Sequence, residues 1–295
     1  MIDPETQLPT GSVVILRGVV GSTVHGTNVG AQDDRDEMAI AIEPPHYVIG
    51  MRHWETSVYR TALEGQKSGP GDLDLVTHSL RKYCRLAAKG NPTMQLPLFL
   101  PPDAIVECNA LGQELINCRS MFLSRECGRA FLGYMVAQKS RLMGERGGRH
   151  GSRPDLIEKY GFDTKYAGHI IRLGYQGVEL MTTGHLSLPM DPEHCAEVLA
   201  VRTGQWSFER TLSRAGELER DLRDSLDTGP LPEHPNEDAI NAFLQQAYLR
   251  AWAVLWHKLD MSPAERASMR VSHNFVERPS NQLESAVSPQ DPTQR

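Results

Sequence analysis

Carboxylates crowd two short stretches of this chain: Asp33, Asp34, Asp36 and Glu37, then Asp72 and Asp74. Asp34 and Asp36 stand two residues apart, so on a strand both point to one face. Two carboxylates held that close repel unless a divalent cation neutralises them, which makes the pair a seat for Mg²⁺ or Mn²⁺. A third carboxylate from a neighbouring strand would complete a two-metal site, and "GDLDLVTHS" (71–79) offers Asp74, with Asp72 on the same face. In such a site one metal activates an attacking hydroxyl and the other holds a triphosphate and its leaving group. Gly21-Ser22, just after an apolar run, can open a helix whose free N–H groups cradle phosphate oxygens. Singly, each piece has a plainer reading, since Gly-Ser is usually a turn and an acidic run usually a solvated loop. The ordered combination is much rarer by chance.

Basic side chains form a second set of candidates. Lys165, His169 and Arg172 fall at i, i+4 and i+7, one stripe of a helix, which either binds a triphosphate or polynucleotide backbone or is a solvated face. Lys82, just past the Asp74 strand, either reaches a phosphate or makes a surface ion pair. The glycine-rich segment 139–153 holds Lys139, Arg141, Arg146, Arg149, His150 and Arg153 against Glu145 alone. It suits a nucleic-acid backbone and equally an ordinary surface loop. His78 reads as a satisfied sheet histidine and Asn91-Pro92 as a helix-stopping turn. HExxH, Walker A and GxSxG arrangements are absent, which leaves zinc-protease, P-loop and serine-hydrolase readings without support.

The elements that must position these groups are legible in part. Residues 13–20 (VVILRGVV) are short, β-branched and closed by Gly21, as a buried strand is; 37–43, 57–62 and 73–79 read as three more. From Leu80 the pattern turns helical until Gly90-Asn91-Pro92, and helical spacing recurs at 124–143, 163–182, 192–203, 207–227 and 236–259. Past residue 261 the chain is polar and lacks the periodicity of a packed element. The expected organisation is a mixed α/β catalytic unit over 1–107, an all-helical unit over 108–260 and a disordered tail over 261–295.

Composition narrows the setting. With 295 residues, 40% of them hydrophobic, the chain can bury a proper core. Its 31 basic against 37 acidic side chains argue against blanket electrostatic binding of nucleic acid, though not against a local basic groove. The five cysteines include no CxxC pair, fit neither a zinc ribbon nor a disulfide framework, and point to a reducing cytoplasm. No signal peptide and no membrane-spanning run is read.

Taken together, strand, Gly21-Ser22, "TVHG" (23–26), Asp33-Asp34-Arg35-Asp36, Asp74, "SLRK" (79–82) and "GNPT" (90–93) resemble the DNA polymerase β-like nucleotidyltransferases. The likeness is to the bacterial and phage branch of RNA-repair-pathway polymerases, and "GFDTKYAGHIIRLGYQGVELMTTGHLSLP" (161–189) is similar to that branch's second-domain signature. The resemblance implies a polymerase β-like sheet with helices, followed by an all-helical domain. It makes Asp34, Asp36 and Asp74 the metal ligands. Gly21 and Ser22 become the phosphate contacts, and Lys165, His169 and Arg172, with Lys82, stand as candidate contacts to the NTP or the polynucleotide beside their plainer surface readings. The implied activity transfers a nucleoside monophosphate to an acceptor hydroxyl, first among them an RNA (tRNA) 3′ end, with Mg²⁺ or Mn²⁺ and release of pyrophosphate. Transfer to a protein or small-molecule hydroxyl, or a non-catalytic nucleotide-sensing or RNA-sensing role, are the alternatives. Two departures stand out: Asp33 replaces the family's serine, and Gln95-Leu96 stands where a glutamate is expected.

Overall fold

The structure, a computed structural model, describes residues 2–3, 7–30, 35–62, 69, 71–144 and 153–260. Five strands are ordered β3-β4-β2-β1-β5: β1 (Val13–Val19), β2 (Arg35–Ile42), β3 (Thr56–Arg60), β4 (Leu73–Ser79) and β5 (Ile105–Cys108). The β2–β4 pairing is parallel and the other pairings are antiparallel. The strands at 13–20, 37–43, 57–62 and 73–79 are thus found within two residues of their expected bounds. Strand β5 is a finding of the structure; its four residues, Ile-Val-Glu-Cys, are too few to register a period.

Helices α1 (Gly21–His25), α2 (Pro45–Val48), α3 (Leu80–Ala88) and α4 (Pro92–Gln95) lie among the strands, and α5 (Ala110–Asn117) follows β5. The rest of the described chain is helical: α6 (Arg125–Leu142), α7 (Pro154–Tyr160), α8 (Thr164–Thr183), α9 (Pro192–Arg202), α10 (Phe208–Thr228) and α11 (Glu237–Asp260). Their ends follow local chemistry. Asp163 caps α8 by accepting from the Lys165 and Tyr166 amides, and Asp191 caps α9 the same way from Glu193 and His194. Gly161 and Gly184 close α7 and α8 in the left-handed conformation.

One compact unit spans Met1–Trp252, and the rest, Ala253–Arg295, forms another, of which 253–260 are described. One large hydrophobic core runs through the first. Met38, Ile40 and Ile42 on one face of β2 belong to the same buried cluster as Leu80, Tyr83 and Cys84 of α3, Phe131 of α6, Ile170 and Ile171 of α8, and Leu222 of α10. Alternation along β2 decides what the sheet does: the same face that enters this core at residue 38 carries Asp36 one step earlier. On the opposite face a smaller cluster joins Leu8, Ala41, Tyr47 and Trp54. Cys84 and Cys127 are buried as small hydrophobes, whereas Cys118 is exposed. No helix among the described residues is long and apolar enough to cross a membrane.

Candidate active site

Strand register brings the carboxylates together. In the parallel β2–β4 ladder Asp36 stands opposite Asp74, so the two side chains leave the same face of adjacent strands, about 5 Å apart at the backbone. Asp74 also faces Arg60 of β3, whose Nε lies 3.6 Å away. Asp72 is used elsewhere: it accepts from Thr61 Oγ1 and from the Gly69 amide, both at 2.9 Å, and holds the turn that precedes β4. Asp34, with Asp33, lies outside the described residues. Among the described residues no cluster of three His, Cys, Asp or Glu is gathered for a metal. The hard, anionic oxygens of Asp36 and Asp74 are nonetheless a donor set of the kind Mg²⁺ or Mn²⁺ takes.

Gly21 and Ser22 begin α1 directly beside Asp36. The Val20 amide donates to the Asp36 carbonyl at 2.9 Å, tying the turn to β2. Gly21 has φ +72°, and a Cβ there would come within 2.2 Å of Asp36 Oδ2. Only glycine meets both conditions, since other residues resist this backbone region and the space is filled.

Asp36 stands between two cavities. One, about 290 Å³, opens over the sheet and is lined by Gly21, Asp36, Val58, Arg60, Asp74 and Thr93 among others. The second, about 240 Å³, joins Gly21, Ser22 and Asp36 to Lys165, His169 and Arg172 of α8 and to Arg202 at the end of α9. The basic stripe read from the sequence therefore lines the same cavity as the Gly-Ser turn and Asp36.

The second cavity is strongly electropositive. Burial and then the charge of Arg172 hold His25 well below the usual histidine pKa, with His169 and Arg202 adding to the effect. His169 is lowered to about 3 by burial, Arg172 and Lys165. Arg172 itself is lowered to about 10 by burial and by Arg202. Cations that disfavour one another's charge in a shared cavity make a site for an anion. Both histidines are neutral, and their roles follow from their partners. Arg172 Nη2 can only donate, so His169 Nδ1 accepts, at 3.0 Å.

Other sequence candidates fall elsewhere. Lys82 lines neither cavity. It sits past the far end of β4, where its Nζ donates to Thr56 Oγ1 at 2.7 Å and faces Glu55 at 3.7 Å. His78 is the satisfied sheet histidine expected, paired with Thr56 Oγ1 at 2.9 Å. Asn91 caps α4, as a turn residue does. Of the basic segment 139–153, residues 145–152 lie outside the described residues. Lys139 pairs with Glu219, and Lys139, Arg141 and Arg153 line neither cavity.

Sequence reasoning missed His25, Thr27, Arg60, Thr93 and Arg202. His25 and Thr27 were within reach, being the continuation of the Gly-Ser helix and the turn that ends it. Arg202 carries no local signal, since thirty residues and a turn separate it from the α8 stripe. It donates to the carbonyl and hydroxyl of Thr27. Gly168 makes room for it: a Cβ there would lie 2.5 Å from Arg202 Cγ.

A family model described as the RNA repair pathway DNA polymerase beta family matches residues 5–246 of this chain. Among solved structures, a nucleotidyltransferase-like protein from Exiguobacterium sibiricum is similar at 12% identity and a TM-score of 0.29, over 73% of this chain and 69% of that one. No curated protein matches.

Proposed function

The chain belongs to the RNA repair pathway DNA polymerase beta family, and from that membership and the cleft geometry we propose that it transfers a nucleoside monophosphate from an NTP to an RNA 3′ hydroxyl. The observation that carries the reading is the register that sets Asp36 opposite Asp74, with Gly21 packed against Asp36 and a basic cavity beside it. In this reading Asp36 and Asp74, with Asp34, hold divalent cations, Mg²⁺ or Mn²⁺. When bound, these activate the acceptor hydroxyl and stabilise the pyrophosphate that leaves.

The chain's own residues do the rest. The amides of Gly21 and Ser22 cradle the β- and γ-phosphates. Lys165 and Arg172 neutralise phosphate charge, and neutral His169 donates from Nε2. Residues 1–107 thus carry the reacting centre, and 108–260 supply most of the cations that clamp the triphosphate. The larger cavity beside Asp74 receives the acceptor end. With the α-phosphate seated between the two cavities, where cations held by Asp36 would offset its repulsion with the carboxylate, the acceptor oxygen attacks phosphorus from the Asp74 side. The bond to the β-phosphate oxygen then breaks toward α8.

The test is incubation of the protein with each labelled NTP, Mg²⁺ or Mn²⁺, and separate pools of tRNA, other RNA, DNA and cell protein. Label in an RNA pool is the expected result. Label in the protein pool alone would move the acceptor to a protein hydroxyl, and no label in any pool would count against transfer.

A further inference from the structure

Gln176 is a polar side chain where polarity is costly. It sits on α8 at 1% exposure, and a buried amide is tolerated only when its ends are bonded. Both ends are. Arg172 Nη1 donates to Gln176 Oε1 at 2.6 Å, and Gln176 Nε2 meets His25 Nδ1 at 3.1 Å. A guanidinium has only donors, so the arginine fixes which end of the amide is oxygen. The amide nitrogen must then donate to His25, which places the imidazole proton on Nε2. A glutamate would accept from Arg172 but could bond His25 only with the imidazole proton moved to Nδ1, and leucine would take one partner from each neighbour.

The two neighbours belong to different parts of the triphosphate cavity. Arg172 stands on α8, and His25 ends α1, the helix that Gly21 and Ser22 begin. We propose that Gln176 is a positioning residue for the nucleotide: its amide aims the Arg172 guanidinium into the cavity and fastens α1 to α8, so that the Gly21-Ser22 turn and the basic stripe grip one triphosphate together. This rests on the triphosphate reading of that cavity, and it adds a buried residue that touches no substrate itself.

The test measures binding of inorganic tripolyphosphate, and separately of ATP with Mg²⁺, by calorimetry on the full chain. The proteins are wild type, Gln176→Leu, Gln176→Met, Arg172→Ala and the double variant Gln176→Leu/Arg172→Ala, each also melted thermally to establish that it is folded. Either Gln176 variant should weaken both probes about tenfold, the effect of one lost hydrogen bond to a charged group. The losses in the double variant should fall short of the sum of the single ones, because the Gln176 amide acts in part through Arg172 and coupled residues are not additive. A purely structural role would lower melting without that coupling. Wild-type affinity in a folded Gln176 variant, or losses that simply add to that of Arg172→Ala, would overturn the positioning role and leave the triphosphate site standing. A wild-type protein that binds neither probe would sink the triphosphate reading, and the inference with it.

Discussion

At the residue scale, Gly21 and His78 each answer to two constraints at once. At Gly21 the left-handed backbone alone costs a side chain about 1–2 kcal/mol, and the nearby Asp36 carboxylate adds a steric demand. Gly21→Ala should therefore lower stability modestly and lower label transfer far more, because the alanine methyl displaces Asp36. Thermal melting beside transfer assays checks this, and wild-type transfer by Gly21→Ala would contradict it. His78 makes a pH prediction. Lys82 Nζ donates to Thr56 Oγ1, whose hydroxyl is then free to donate to His78 Nδ1. Burial and Lys82 lower His78 to about 4, against a small opposing effect of Glu55. The folded state thus keeps His78 neutral while the unfolded chain protonates near 6.5, so stability falls as pH drops from about 6.5 to 4. The loss is on the order of 3 kcal/mol. Urea titrations at both ends of that window should show His78→Gln losing less than wild type; equal losses would remove His78 from the account.

At the element scale, the sequence told most where periodicity was long. The helix expected at 163–182 is found at Thr164–Thr183 and that expected at 207–227 at Phe208–Thr228, because twenty residues of 3.6-residue period cannot be mistaken for a strand. Strand β5 and helices α5 and α7 escaped because four to eight residues carry too little pattern. Lys165, His169 and Arg172 were legible as a stripe, but not what the stripe faces, since the docking of α8 against α1 is set by contacts 150 residues apart in the chain, such as His25 with Gln176. Lys82 misled for the opposite reason. It follows the Asp74 strand in sequence, yet a strand carries its two ends apart, and the lysine leaves from the end away from Asp74. If RNA occupies the cleft, exposed Lys165 adds a phosphate contact. Lys165→Glu should then weaken RNA binding and flatten its dependence on salt by about one unit of slope. An unchanged slope would favour a protein or small-molecule acceptor.

At the scale of the whole molecule, the sheet supplies the carboxylates, the helices supply the cations, and one hydrophobic core joins them. Asp36 is where the two contributions meet, since it borders both cavities. The most direct test is therefore Asp36→Ala, compared with wild type by thermal melting with and without Mg²⁺ plus NTP and by label transfer to RNA. Met38, Ile40 and Ile42 still anchor β2 in the core, so the variant should fold. Relief of repulsion with Asp74 offsets part of any loss in the absence of metal. It should lose the stabilisation that Mg²⁺ and NTP give the wild type, and transfer should fall by orders of magnitude. A variant that melts like wild type and still transfers label at the wild-type rate would contradict the account.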